Sequence, residues 1–227
     1  VSVIGIPGSP NNGTVEFNGT NILLKTKTNL KTAARLRHCD TQYGFASGNL
    51  FPFDNVPKLF HSKVIYEDNG DTGCYAYVGY SATHATAETA CACWYCNGTS
   101  TWHVRIKDGA GVDINYDTGI YVEDQNELCV ICDGTSIQFS TFTEGTHDAS
   151  SVYTPYYTYT LTGTEDTGVG CYANCEMRSR SLVSPIRTLT VGETFIYVWW
   201  KEYETDLAIT DLQDQINSIP LSNLNQD

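Results

Sequence analysis

Cysteine is the residue type in this chain whose spacing most directly implies chemistry. One segment reads Cys93-Trp94-Tyr95-Cys96-Asn97-Gly98-Thr99-Ser100, and a second reads Cys129-Val130-Ile131-Cys132-Asp133-Gly134-Thr135-Ser136. Two C-x-x-C pairs can supply four thiolates to a tetrahedral Zn²⁺, and a glycine just past the second thiol lets the backbone turn through positive φ. Cys93, Cys96, Cys129 and Cys132 are therefore the expected ligands of a closed, structural zinc site with no open position for a substrate. Disulfides and free buried thiols are the alternatives. Nine cysteines are an odd number, so no purely intramolecular disulfide scheme uses all of them. Cys171 and Cys175, with Cys74 or Cys39, are candidates for a second site, or are simply small buried hydrophobes. His84 and His103 become ligands if the site is mixed.

Carboxylates form the other chemical grouping. Asp113, Asp117, Glu123, Asp124 and Glu127 cluster near the second cysteine pair. Paired carboxylates hydrolyse glycosides, and clustered ones bind Ca²⁺, but a solvated acidic face is the commoner arrangement. No G-x-S-x-G elbow, glycine-rich phosphate loop or H-E-x-x-H is present. His38, Cys39 and Asp40 are consecutive, which points their side chains apart. No catalytic residue is assigned on this basis, and the chain is expected to be non-enzymatic. Tyr153, Tyr156, Tyr157 and Tyr159, interleaved with Thr154, Thr158 and Thr160, are candidate contacts to a receptor protein or glycan, because tyrosine offers an apolar face and a hydroxyl.

The elements that must position these groups read as mainly β. Asn18-Gly19 sits between Val15-Glu16-Phe17 and Ile22-Leu23-Leu24, the pattern of a hairpin. From Phe51 to Tyr203 short strands alternate with Gly, Asp and Asn punctuation. Trp102, Val104 and Ile106 fall on one face of their strand, with His103 and Arg105 on the other. The run from Phe195 to Trp200 is apolar on both faces and reads as a central strand. Ala33, Ala34 and Leu36 are expected in a short helix over residues 30–39. Ile209, Leu212, Ile216 and Ile219 make an a/d seam of a C-terminal helix, and isoleucine at such positions favours trimers or tetramers. The expected organisation is an N-terminal arm and hairpin (1–30), a β-sandwich-like body carrying the cysteine knuckles (31–205), and an oligomerisation helix with its tail (206–227).

The formal net charge of −13, from 26 acidic against 13 basic side chains, argues against nucleic acid or an anionic membrane as the main partner. No apolar run approaches the roughly 20 residues of a membrane span. Sequons stand at Asn12, Asn18 and Asn97, and Asn18 and Asn97 also fit tight turns. The expected partners are a second copy of the chain and a host-surface protein or glycan.

The extended Gly-Pro start, the β-rich body, Asn18-Gly19 and the exit through Asp211-Leu212-Gln213-Asp214-Gln215-Ile216 together resemble bacteriophage tail-fibre and virion-fibre modules. That resemblance implies a self-associating, trimeric adhesive subunit at a virion surface or in an extracellular filament, attaching to a host. Phe51-Pro52-Phe53-Asp54-Asn55, Trp102-His103-Val104-Arg105-Ile106-Lys107 and Ile196-Tyr197-Val198-Trp199 look similar to the receptor-binding β-sandwich of coronavirus spikes. This second resemblance implies a secreted glycoprotein with disulfides. A glycan-acting enzyme using the acidic cluster is the further alternative.

Overall fold

The computed structural model describes residues 2–3, 13–27, 33–37, 52–53, 57–67, 74–81, 91–145, 151–165, 171–179 and 186–198. Within them the chain is all β. Sheet A contains β1 (Ser2–Val3), β4 (Ala33–Arg37), β6 (Cys74–Ser81), β7 (Cys91–Asn97), β8 (Thr101–Lys107), β9 (Asp113–Tyr121) and β13 (Tyr172–Ser179). Sheet B contains β2 (Thr14–Phe17), β3 (Ile22–Lys25), β5 (Lys58–Tyr66), β10 (Asn126–Cys132), β11 (Ser136–Glu144), β12 (Val152–Thr160) and β14 (Thr188–Val198). The spatial orders are β1-β4-β13-β6-β7-β8-β9 and β12-β11-β10-β5-β14-β3-β2, and every pairing is antiparallel. The expected sandwich is present. The apolar run near the C-terminus enters β14 as far as Val198, but among the described residues it pairs there with β5 alone, whereas β3 flanks only Thr188–Val191. The hairpin of β2 and β3 joins the edge of sheet B.

Alternation explains the layering. On β8 Trp102, Val104 and Ile106 are fully buried between the sheets while Thr101, His103, Arg105 and Lys107 face outward. Trp94 and Phe139 meet edge-on in the core, with ring centroids 5.9 Å apart. The Trp94 indole N–H also donates to the Cys129 carbonyl at 3.0 Å, tying sheet A to sheet B. Burial thus leaves the indole's polar atom satisfied.

Two expectations are corrected here. The segment around Ala33 is strand β4, not helix. Ala34 and Leu36 alternate into the core, and Arg35 turns outward to meet Glu176 at 2.7 Å, so tertiary pairing overrides local helix propensity. The four cysteines of the paired motifs do not come together as one ligand set in this structure. Positions i and i+3 of a continuous strand point to opposite faces. Cys96 and Cys132 accordingly lie in the main core, Cys93 lies on the outer face of sheet A, and Cys129 on the outer face of sheet B. Among the described residues no group of three or more His, Cys, Asp or Glu side chains is gathered as a metal site. The eight described cysteines are buried.

What the repeat encodes is a hairpin corner. Gly98 and Gly134 have φ of 62° and 88°, the left-handed turn that the glycine permits. Asp133 accepts from the backbone N–H of Thr135 at 2.8 Å and of Ser136 at 2.7 Å. Burial pushes its carboxyl up, but these bonds and those from the Thr135 and Ser136 hydroxyls outweigh that and hold it below the usual range. Asn18 closes its own turn in the same way, accepting from Thr20 at 3.1 Å and Asn21 at 2.8 Å.

A second carboxylate locks the loop after β12. Glu165 accepts from the backbone N–H of Thr162 (2.8 Å) and Gly163 (2.9 Å), and from the hydroxyls of Thr162 (2.8 Å) and Tyr159 (2.8 Å). Burial opposes its charge, yet the donors hold its carboxyl down at about 2, against an ordinary value of 4.5. A carboxyl depressed on folding stabilises the native state fully above its unfolded value and loses that contribution as pH falls through the folded one. Thermal melts taken from neutral pH down to about 2 should therefore show an acid limb that Glu165→Gln reduces. Superimposable limbs in the two proteins would mean that these bonds contribute nothing to stability.

Candidate functional site

The outward face of sheet A brings together side chains that no single strand contains. Strand pairing sets Arg35 opposite Glu176, Glu176 opposite Tyr77, Tyr77 opposite Tyr95, Tyr95 opposite His103, and His103 opposite Asp117. With strands about 4.8 Å apart, this row across six strands is about 24 Å long. The next row sets Asn174, Gly79, Cys93, Arg105 and Asn115 side by side. Gly79 contributes no side chain there, so the face is lowered in the middle.

A groove of about 260 Å³ opens on this face, lined by Tyr77, Cys91, Tyr95, Asn97, Thr99, His103, Arg105 and Asn115. Its floor is aromatic: Tyr95 stacks at 5.2 Å on Tyr77 and at 6.0 Å on Tyr75. Its wall on β8 and β9 is polar. The His103 Nδ1 lies 3.0 Å from Asn115 Oδ1. With the amide oxygen accepting, Nδ1 carries the proton, and Nε2 is left with a lone pair able to take one. Asp117 follows on the same strand. Bonds from the Gly119 N–H at 3.0 Å and from the Thr101 hydroxyl outweigh the effect of burial and hold its carboxyl below the usual range, with His103 adding to the shift. Asp117 is thus an ionised neighbour of His103, not a proton donor.

Arg105 is fixed from two sides. Its guanidinium donates to Asp113 and, at 3.3 Å, to the Ile114 carbonyl, and Lys107 reaches the same Asp113 at 3.6 Å. At the far end of the face Glu176 is 1% exposed and holds both Arg35 and Arg178 at 2.7 Å. The cations of this face are thus held by carboxylates of the same face, Arg105 and Lys107 by Asp113 and Arg35 and Arg178 by Glu176.

The residues singled out from sequence scatter by comparison. Asp113 and Asp117 border the groove, but Glu127 lies on sheet B, 3.1 Å from Lys63 and 3.3 Å from His61, and Glu123 and Asp124 occupy the turn between β9 and β10. The acidic cluster is not a unit. Tyr153 packs against the Leu59, Cys129 and Ile131 cluster, and Tyr157 and Tyr159 against the core, while Tyr156 is 36% exposed. Asn97 lines the groove. Asn12, His38, His84, Ile209, Leu212, Ile216 and Ile219 lie outside the described residues. Sequence reasoning missed Tyr77, Tyr95 and Asn115 as site residues. The alternation that set His103 and Arg105 apart from Trp102, Val104 and Ile106 was the available signal.

No family model matches the chain, and no curated protein matches it in sequence. Solved structures do share its fold. The alginate lyase A1-II′ of polysaccharide lyase family 7 is similar with a TM-score of 0.56 at 10% identity, covering 86% of each chain. A family 16 endo-glucanase from Bacteroides ovatus is similar with a TM-score of 0.52 at 8% identity, covering 82% of this chain and 85% of its own. The CBM2 module of an evolved Dit protein from Lactobacillus casei BL23 phage J-1 is similar with a TM-score of 0.50 at 11% identity, covering 85% and 83%. These likenesses establish a β-sandwich jelly roll. They also correct the expectation of a non-enzymatic adhesive fibre subunit. The fold is one shared by a polysaccharide lyase, a glucanase and a phage module, and a groove lined by an imidazole, phenols and a guanidinium opens on one sheet.

Proposed function

We propose that this chain cleaves an acidic polysaccharide by β-elimination in the groove of sheet A. The observation that carries the reading is the grouping of His103, Tyr95, Tyr77, Arg105 and Asn115 in one groove, with no carboxylate among its described lining residues and Asp113 and Asp117 only at its border. Hydrolysis of a glycoside ordinarily needs two carboxyl groups flanking the scissile bond. Elimination needs something else: a base, an acid and a group that neutralises a sugar carboxylate.

The groove offers each. In a 4-linked uronate the C5 hydrogen lies next to the carboxylate, and its removal spreads negative charge onto the carboxylate oxygens. Arg105, with the Asn115 and Asn97 amides, is placed to stabilise that charge. His103 Nε2 takes the C5 proton, and the released electron pair forms the C4=C5 double bond as the C4–O bond breaks. The leaving oxygen takes the hydroxyl proton of Tyr95, and proton exchange between His103 and Tyr95 restores both groups. Asp117 stabilises the imidazolium formed on the way. An extracellular location accords with a substrate of this kind.

Incubation with alginate, polygalacturonate and hyaluronan tests the reading. The expected result, on at least one of them, is rising ultraviolet absorbance from the new double bond, with product masses showing no added water. Products that gain water without absorbance would reassign the groove to hydrolysis. Failure to shorten any of the three polymers would overturn the proposal.

A further inference from the structure

Strand β9 serves two surfaces at once. Asn115 faces the groove, and the next residue, Tyr116, lies on the opposite side of the strand, 5.0 Å from the ring of Tyr157 on β12. Among the described residues β9 and β12 are the edge strands of their sheets, and the two meet here. Much of the exposed apolar surface is gathered along them: Tyr116 is 44% exposed, Tyr121 61%, Val152 47% and Tyr156 36%. The rings are held rather than free. Tyr156 abuts the fully buried Trp94 edge-on at 6.2 Å and 72°, and Tyr116 is tilted on Tyr157 at 38°. Thr158 and Thr160 of the same strand are exposed as well.

An aromatic edge of this kind invites two occupants, a second copy adding its strand or a ligand lying on the rings. The strands themselves argue against the first. Pro155 removes a backbone donor from the middle of β12, and register shifts interrupt β12 against β11 and β9 against β8. Proline and bulges are how sheet edges resist extension by another chain. Tyrosine suits the second occupant, since its ring face packs on the C–H face of a pyranose while its hydroxyl remains wet.

We infer that the β9–β12 rim is a second glycan-binding site, an aromatic platform that holds a polysaccharide chain as it passes from the groove over β9. The identity of the polymer rests on the groove reading; the platform itself does not. Native gel electrophoresis through entrained alginate, polygalacturonate or barley β-glucan tests it. Wild type and His103→Ala should be retarded alike by at least one polymer. Tyr116→Ala/Tyr156→Ala should bind that polymer about tenfold more weakly, from the loss of two stacked rings. Tyr116→Phe/Tyr156→Phe keeps the rings and should keep most of the retardation, which separates lost stacking from lost folding. Turnover of short oligosaccharides should be unchanged in the alanine pair. If no polymer is cleaved but the tyrosine pair alone abolishes retardation, the groove reading fails and the platform stands. Retardation insensitive to the tyrosines, no retardation of wild type by any of the three polymers, or a wild-type dimer that the alanine pair converts to monomer would overturn the platform.

Discussion

His103→Ala is expected to lower kcat/KM for eliminative cleavage by about 10³-fold, the range ordinarily lost with a positioned general base. The loss should fall mainly on kcat. Polymer binding is spread over the tyrosine floor, Arg105 and the amides, whereas proton abstraction is assigned to one atom, Nε2. That atom is available because Asn115 engages Nδ1 at 3.0 Å. Asn115→Ala should therefore also lower kcat, by less than the histidine change, because it frees the ring to adopt the other tautomer. His103 is half-buried on the outer face, so its removal leaves the core between the sheets intact. Steady-state assays on the responsive polymer, with thermal melts to confirm folding, decide the matter. Activity of His103→Ala within tenfold of wild type would remove this residue from the chemistry.

Gly79→Ala should cost about 3 kcal/mol of stability, through a strained backbone and overpacking together. In a domain of this size that lowers Tm by roughly 10 °C. Gly79 has φ of +133°, where a side chain is poorly tolerated, and it sits in β6 between β13 and β7. A Cβ there would lie 2.9 Å from the Ala92 carbonyl oxygen, 3.0 Å from the Cys93 Cα and 3.1 Å from a Val130 methyl. Two of those neighbours are backbone in a paired central strand and cannot step aside. Thermal unfolding followed by tryptophan fluorescence measures the effect; a decrease below about 1 kcal/mol would show that β6 can relax away from β7.

The fold was legible in the chain because period-two patterning is local. Trp102, Val104 and Ile106 announce a strand and its buried face without reference to any other segment. The Asn-Gly and Asp-Gly corners were legible for the same reason. The site was not, because it is made by lateral pairing. Tyr77, Tyr95 and His103 stand far apart in sequence and become neighbours only through the registers of β6, β7 and β8. The cysteine repeat misled for a related reason. C-x-x-C closes on a metal when the backbone turns between its thiols, and here both pairs run straight through a strand before the turn begins. Ala33-Ala34 misled because its helix preference is small against the partners that β4 finds in β13 and β1.

The order of strands carries a consequence for synthesis. β13 lies between β4 and β6, and β14 between β5 and β3. Both sheets are thus split down the middle until two late segments arrive. A nascent chain that has emerged only through β12 holds two incomplete half-sheets, each presenting an unpaired edge that belongs in the interior of the finished molecule. Such edges are templates for pairing with other chains. The local β7–β8–β9 and β10–β11–β12 meanders can form early, yet neither sheet closes until its late strand slots in. Slow translation or premature release after β12 therefore favours aggregation over partial function, and expression should benefit most from whatever shelters the chain over that last interval.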